Sequence, residues 1–297
     1  MSAPAPAAPT LPAALPARGR SPAADALRRL RRNRFAVAGA VFLVLLVFAC
    51  FVLPGLLGLD ADLQDTRNHD QAPSAAHLFG TDSLGRDYAA RVLVGGQTSL
   101  KVGLVATLVS LLIGTLWGAT AGYFGGFVDD LMMRFVDFLY GIPYMFLVIL
   151  IMLVFDDKQR GNPLPMFAAL GAVQWLTMAR IVRGQVIGLK HQEFVLAAKT
   201  MGAGHWRILL RHLLPNCLGP IIIYATLTVP AVILTEAFLS FLGLGVKVSW
   251  GVLVAEAPFQ DYLWRLAFPS AFLALTLLSL NFLGDGLRDA LDPRTRK

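Results

Sequence analysis

The stretch VGLVATLVSLLIGTLWGATAGYFGGFV, residues 102–128, contains no charged side chain. A helix needs about 20 apolar residues to cross the hydrocarbon core of a bilayer. Because backbone groups in lipid must be hydrogen-bonded within their own segment, a run of this kind is expected to be helical. The stretch therefore predicts a membrane-spanning helix and places the chain among the integral membrane proteins.

Further uncharged stretches of similar length occur on both sides of this one. They are residues 35–59, 138–155, 161–179, 213–235 and 266–284. Only 15% of the residues are charged, 56% are hydrophobic and the mean hydropathy is +0.61, whereas soluble domains carry about 25% charged residues. The sequence therefore predicts an all-α integral membrane protein with six transmembrane helices.

The basic residues predict the orientation of these helices. Eighteen of the 26 lysine and arginine residues fall in segments on one side of the predicted spans, and seven fall on the other. Because basic residues are enriched in cytoplasmic segments, the richer side is the cytoplasm. An even number of spans then leaves both termini cytoplasmic. The cytoplasmic basic residues account for the net charge of +7. Nucleic acid is therefore not an expected partner.

The chain divides into three predicted parts. Residues 1–27 are rich in alanine and proline, which predicts a disordered cytoplasmic tail. Residues 28–97 hold the first span and a periplasmic segment, and residues 98–297 hold the other five spans and a long cytoplasmic loop. The two cysteines lie in apolar runs, so neither a disulfide framework nor a metal site is predicted.

The cytoplasmic loop reads KHQEFVLAAKTMGAGHWRILLRHLLP, residues 190–215. Four side chains share one face at helical spacing: Phe194, Ala197, Ala198 and Met201. Gly202 and Gly204 then interrupt the helix. A second apolar stripe follows, made of Trp206, Leu209, Leu210 and Leu213. The pattern predicts a helix, a glycine hinge and a second helix, with an apolar face that docks in a partner's groove or lies on lipid.

This loop resembles the EAA loop of ABC-importer permeases. The residues that match the pattern are Ala197, Ala198, Gly202, Leu214 and Pro215. Leu196 stands where the pattern begins with glutamate. The acidic residue is Glu193 instead, followed by Phe194, as in the peptide-permease class. The resemblance implies that the loop couples the permease to an ATPase.

Two further segments resemble signatures of the C-type subunit of oligopeptide and dipeptide permeases. They are HLFGTDSLGRD, residues 77–87, on the external side and GDGLRDALDP, residues 284–293, at the C-terminus. The external signature residues are Gly80, Thr81, Asp82, Gly85, Arg86 and Asp87. We expect them to form a loop that caps the external face through local pairing, or a contact for the binding protein.

The resemblance implies a type I ABC importer permease fold in the bacterial inner membrane. It also implies a heterodimer with a homologous permease subunit, two ATPase subunits that use ATP and Mg²⁺, and a periplasmic peptide-binding protein. The expected cargo is a peptide, with oligopeptides favoured by WLTMARIVRGQ, residues 175–185. Dipeptides, glutathione and metal chelates are alternatives within the same architecture.

This chain is not expected to be an enzyme or to bind a cofactor itself. Neither Gly-x-x-x-x-Gly-Lys nor His-Glu-x-x-His occurs in it, so it has no phosphate loop and no zinc-protease motif. A secondary carrier is the alternative from a different class. Such a carrier needs ion-coupling carboxylates near the membrane midplane, and the uncharged runs offer none.

Three further predictions concern single positions. Pro143 lies inside the third predicted span and should kink it, either for packing or to shape a pathway. Glu236 is expected just outside the fifth span, at the start of a short external helix over residues 236–244, with a pathway role as the alternative. Arg134 and Asp137 are expected to pair on one helical face.

Overall fold

The computed structural model describes residues 22–154, 164–257 and 262–291, and these residues form twelve α-helices without a β-sheet. The helices are α1 (Pro22–Arg32), α2 (Arg34–Phe51), α3 (Leu53–Leu56), α4 (Tyr88–Phe124), α5 (Gly126–Tyr140), α6 (Tyr144–Val154), α7 (Leu164–Leu189), α8 (Glu193–Thr200), α9 (His205–Ile208), α10 (Leu214–Leu239), α11 (Trp250–Glu256) and α12 (Leu263–Leu291). Short π-helical turns at Leu209–Leu213 and Ser240–Leu244 flank α10.

The six predicted spans correspond to five long helices and one bent pair. Within the described ranges, α2, α4, α7, α12 and the continuous run His205–Leu244 are each long and apolar enough to cross a membrane. The sixth span is the pair α5 and α6, whose axes differ by 88°. The all-α membrane architecture with six spans is therefore confirmed when the pair is counted as one.

Several spans extend beyond the uncharged runs that predicted them. Helix α4 begins at Tyr88 rather than at residue 102, so Arg91 lies within it. Helix α7 continues through Arg180 to Leu189, ten residues past the end of its uncharged run. Helix α12 likewise continues to Leu291. A search for uncharged residues stops at the first charge, whereas a helix continues when that charge has a partner or reaches water.

The third span differs most from its prediction. Instead of one helix kinked inside by Pro143, α5 ends at Tyr140 and α6 begins at Tyr144. Proline cannot donate a backbone hydrogen bond, and Gly141 ends α5, so the chain turns sharply between them. The predicted pairing of Arg134 with Asp137 is also wrong. The Asp137 carboxylate instead accepts a hydrogen bond from Arg180 on α7, at 2.7 Å.

The start of the chain is more ordered than predicted. Residues 22–27, assigned to a disordered tail, belong to α1, while residues 1–21 lie outside the described part. Asn33 separates α1 from α2. Its side-chain oxygen accepts hydrogen bonds from the backbone N–H groups of Phe35 and Ala36, at 3.1 and 3.2 Å, which is a favourable N-cap for the first span.

Helix α4 is at the centre of the bundle and lies very close to α7. Three glycines on one face of α4 make this approach possible: Gly114, Gly118 and Gly122. A β-carbon on Gly118 would lie 2.2 Å from the backbone oxygen of Ala179, and one on Gly122 would lie 2.8 Å from that of Arg183. Small residues at a spacing of four let membrane helices pack backbone to backbone. The stretch quoted first therefore carries the tightest helix contact.

Candidate coupling loop and periplasmic network

The predicted order of helix, glycine turn and helix is confirmed between α7 and α10. Helix α8 ends at a turn in which Gly202 has a φ angle of +78°. The N–H of Gly202 donates to the carbonyl of Lys199 at 2.9 Å, and that of Ala203 donates to the carbonyl of Ala198 at 3.0 Å. No atom lies within 4 Å of where a β-carbon on Gly202 would stand. The glycine is therefore needed for its left-handed backbone rather than for space.

One face of α8 packs on the transmembrane bundle. Val195 and Ala198 are buried there, against Tyr123 of α4, Val186 of α7 and Leu213 ahead of α10. Ala198 is only 2% exposed, so its predicted place on the docking face is wrong. Because α8 packs on the bundle, Ala198, at one edge of the predicted stripe, faces the bundle rather than a partner.

The opposite side of the loop is apolar and exposed. The exposed fractions are 40% for Phe194, 79% for Met201, 60% for Trp206 and 54% for Leu210, and Ala197 is exposed beside them. These five residues are called the outer face of the loop below. Exposed apolar patches of this kind mark interaction sites.

Some of the remaining loop residues face the bundle and others are exposed. The second predicted stripe is split, because Leu209 and Leu213 point inward. Glu193 opens α8 and is exposed, while Leu214 and Pro215 form the first turn of α10. Proline suits this position because the first turn of a helix needs no backbone donor there.

Two side chains attach the loop to the cytoplasmic end of α4. The Tyr123 hydroxyl and His205 Nδ1 are hydrogen-bonded at 2.9 Å. Lys190 Nζ donates to the carbonyl of Gly122 at 3.0 Å. Together with the packing of α8, these contacts hold the loop against the end of α4.

The predicted local pairing in the periplasmic signature is confirmed and extends further than the signature. Asp82 is buried, and its Oδ1 accepts from the backbone N–H groups of Leu84 and Arg86, both at 2.9 Å. Its Oδ2 accepts from Arg86 Nε at 2.6 Å and from Arg91 Nη1 at 2.9 Å. Arg91 Nη2 then reaches Glu256 Oε2 at 2.9 Å. The sequence analysis did not predict a role for Arg91, because this residue lies beyond the signature and was expected in the external segment rather than in α4.

The other signature residues shape the backbone around this ion pair. Gly80 and Gly85 have φ angles of +74° and +71°, in the region that favours glycine. Asp87 is the N-cap of α4, since its Oδ1 accepts from the N–H of Ala90 at 2.9 Å. Its other oxygen contacts His77 Nδ1 at 2.9 Å. The signature therefore starts the longest helix of the bundle.

Thr81 connects the signature to the last span. Its hydroxyl donates to the carbonyl of Asn68 at 2.6 Å. Its own carbonyl accepts from Arg265 Nε and Nη2, at 3.2 and 2.9 Å. Arg265 also pairs with Asp70, and its carbonyl accepts from the Tyr88 hydroxyl at 2.7 Å. A polar cavity of about 260 Å³ lies within this network. The expected structural role of the signature thus has a physical basis in a network of hydrogen-bonded polar groups centred on the buried Asp82, Arg91 and Arg265.

Replacing Asp82 with asparagine should destabilise the protein by about 3 kcal/mol, the usual cost of breaking a buried ion pair. Burial opposes the charged form of Asp82, but hydrogen bonds from the Arg86 backbone and side chain and from the Leu84 N–H, with the charge of Arg91, outweigh it. The pKa of the Asp82 carboxyl is therefore lowered. Its contribution is complete above the unfolded-state pKa of about 4 and is lost as the pH falls through the lower folded-state value.

Thermal unfolding of the detergent-solubilised protein checks this prediction. The matched control is Asp62→Asn, which removes a pair between Asp62 and Lys247 at 2.7 Å in which both side chains are more than half exposed. Exposed pairs contribute little, so this variant should unfold like the wild type. The difference between Asp82→Asn and wild type should shrink in acid. Equal midpoints for both variants at pH 7 would contradict the prediction.

Glu236 is buried within the bundle rather than placed at its edge. Helix α10 continues past it to Leu239, so the predicted external helix over residues 236–244 is wrong. Glu236 is 0% exposed. Its carboxyl accepts from Ser240 Oγ at 2.6 Å and from Ser99 Oγ at 3.0 Å. Two hydroxyl donors make this position tolerable for a carboxyl group. In the sequence, the signal for this burial is Ser240, four residues after Glu236 and therefore on the same helical face.

The described residues contain no group of three or more metal-ligating side chains. Pro143 lies exposed in the break between α5 and α6, whereas Glu236 is buried on α10.

Comparison with known proteins agrees with this architecture. Residues 114–297 match the family described as "Binding-protein-dependent transport system inner membrane component". Residues 21–73 match the "N-terminal TM domain of oligopeptide transport permease C". A solved structure of the MetNI methionine ABC transporter in an inward-facing conformation has a TM-score of 0.57 at 18% identity, covering 68% of this chain and 96% of that one. This likeness concerns the fold.

Relatives of known function match nearly the whole chain. The oligopeptide transport system permease protein OppC of Escherichia coli K12 is 46% identical over 285 residues, which are 94% of this chain and 93% of the relative. The dipeptide transport system permease protein DppC of Bacillus subtilis is 46% identical over 279 residues, 92% of this chain and 86% of the relative. This chain therefore belongs to the binding-protein-dependent transport permeases of the inner membrane, in the branch of the oligopeptide and dipeptide permease C subunits.

Proposed function

We propose that this multi-pass inner-membrane permease carries peptides into the cell as one half of a permease heterodimer, with energy from two ABC ATPase subunits. Relatives named as oligopeptide and dipeptide permeases at 43–46% identity support a peptide cargo. Oligopeptides are favoured over dipeptides. A relative named as a glutathione permease, 36% identical, makes glutathione an alternative within the same mechanism, as are metal chelates.

The two-sided cytoplasmic loop is the observation that carries this proposal. Its outer face, with Met201 and Trp206 the most exposed, offers apolar side chains to a groove on an ATPase. Its inner contacts attach α8 and α9 to α4 through Tyr123 and Lys190. Closure of the ATPases on ATP and Mg²⁺ would move the loop as one element and bias the bundle between inward-open and outward-open states.

In this proposal the chain itself hydrolyses nothing and binds no cofactor. A periplasmic peptide-binding protein delivers the cargo from outside. The buried network around Asp82 and Arg91 keeps the external surface rigid beneath that protein, and the exposed residues of the signature, such as Ser83, are the weaker candidates for contact with it.

Reconstitution in proteoliposomes tests the proposal. The full complex with its partner permease, ATPases and binding protein should take up a labelled tripeptide only when ATP, Mg²⁺ and binding protein are all present. Parallel assays with a dipeptide and with glutathione rank the cargo classes. Uptake without ATPase subunits would overturn the proposal in favour of a secondary carrier, for which the buried Glu236 would be the first residue to examine.

A further inference from the structure

Two tyrosines lie on either side of the break in the third span and bind the same face of α7. The Tyr140 hydroxyl, at the end of α5, is hydrogen-bonded to the Thr177 hydroxyl. The Tyr144 hydroxyl, at the start of α6, accepts from Gln174 Nε2 at 3.1 Å. Gln174 and Thr177 are three residues apart on α7, so they share a face.

Helix α10 completes this group of polar side chains. The Tyr224 hydroxyl contacts the hydroxyl of Thr177, and the Tyr144 hydroxyl contacts that of Thr235. The polar seam is defined here as Tyr140, Tyr144, Gln174, Thr177, Tyr224 and Thr235. Its members come from four helices, α5, α6, α7 and α10, and carry no charge.

Three members of the polar seam lie in the middle of the long membrane-spanning helices α7 and α10. Gln174 and Thr177 are in the central third of the 26-residue helix α7, and Tyr224 is in that of the 26-residue helix α10. Uncharged polar side chains at this depth must pair with one another or face a polar cavity. The seam residues do pair, yet apart from Tyr140, which is exposed, those on α6, α7 and α10 are only partly buried. Part of their polar surface is therefore available.

The backbone at the break points to the same conclusion. Gly141 and Pro143 are exposed on the surface of this chain, and the backbone between α5 and α6 is not helical. Non-helical backbone at membrane depth does not face lipid; it faces protein or a water-filled cavity. In secondary transporters, broken spans at this depth line solute sites.

We propose that the polar seam is a solute site in the translocation path and takes the neutral amide groups of a peptide backbone. This inference rests on the proposed function and adds a place of contact to it. Hydroxyl and carboxamide groups both donate and accept hydrogen bonds, as peptide N–H and C=O groups require. Arg180, whose guanidinium lies 3.8 Å from the centre of the Tyr140 ring, is paired with Asp137, so its charge is balanced where it borders the seam.

Substitutions in the seam test the inference in the full complex. Gln174→Leu and Thr177→Val should each lower the uptake of an uncharged tripeptide on the order of fivefold, the effect of one lost hydrogen bond. ATP hydrolysis stimulated by the loaded binding protein should stay at the wild-type rate. The control is Thr120→Val on α4, since the Thr120 hydroxyl is exposed and donates only to Leu116 of its own helix, at 2.7 Å.

The possible outcomes distinguish a failure of the proposed site from a failure of the proposed function. Unchanged uptake in both seam variants overturns the site, and so does an equal loss of uptake and stimulated hydrolysis, which would indicate a packing role. If the wild-type complex takes up no peptide at all, the proposed function has failed instead.

Cysteine labelling then tests the site independently of transport. In the assembled complex, Pro143→Cys should react with a membrane-impermeant methanethiosulfonate, and Leu150→Cys, on the apolar surface of α6, should not. The native Cys50 and Cys217 are fully buried, so the background is low. An unreactive Pro143→Cys overturns the inference, because the break would then not face water.

Discussion

Replacing Gly118 with valine should cause the largest loss of folded protein of any single change in the bundle. Even the first added carbon would lie 2.2 Å from the carbonyl oxygen of Ala179 and 3.0 Å from its α-carbon. These atoms are backbone, so they cannot rotate away as a flexible side chain can. Helices α4 and α7 would have to separate along their length. We expect a destabilisation of about 3 kcal/mol or more, at the upper end for overpacked sites.

The measurement is the yield and thermal midpoint of the detergent-solubilised protein by fluorescence size-exclusion chromatography. Gly184→Val on α7 is the matched control, because no atom lies within 4 Å of its expected β-carbon. That variant should express and unfold almost as the wild type does. Similar behaviour of the two valine variants would show that the close contact between α4 and α7 does not determine stability.

Replacing Met201 with glutamate should separate the permease from its ATPases. Met201 is 79% exposed, so the folded chain loses almost nothing when it becomes charged. At a docked interface, however, the carboxylate would be buried without a partner, which is strongly unfavourable. A central contact of this kind contributes about 2 kcal/mol or more, so ATPase binding should weaken more than tenfold. Hydrolysis stimulated by the binding protein should disappear with it.

The control for this change is Leu196→Glu. Leu196 lies on α8, which ends just before Met201. It is also exposed, at 48%, but it is five residues from Met201 and therefore on another side of the helix. It also stands where the EAA pattern has its own glutamate, so an acid should be accepted there. Co-purification with the ATPases distinguishes the variants. If Met201→Glu retains them as well as Leu196→Glu does, the outer face of the loop is not the docking surface.

Much of this architecture could be read from the sequence because lipid imposes simple rules. Runs without charge had to be helices, and their number was correct once the bent pair is counted as one span. The loop was also predictable, since Gly202 ends one helix and Pro215 begins another. Both of these features are local, so neighbouring residues contain the whole signal.

The remaining features depend on contacts between distant parts of the chain. Arg91 lies inside a helix only because Asp82 and Glu256 neutralise it, and Glu256 is far away in the sequence. Glu236 is buried because Ser99, on another span, donates to it. The face on which Ala198 lies was likewise decided by the bundle beneath α8. Charge and periodicity within one segment do not contain this information.

The length of helix α4 connects the two surfaces of the protein mechanically. Its 37 residues form a rod about 55 Å long, with the Asp82 network at one end and the attachment of the cytoplasmic loop at the other. Helix α7 packs along this rod, from Ala106 to Gly122. A tilt of the rod by about 10° about its midpoint would move each end by roughly 5 Å over this length. A movement of the cytoplasmic loop, driven by nucleotide, would then displace the Asp82 network on the outer surface at the same time.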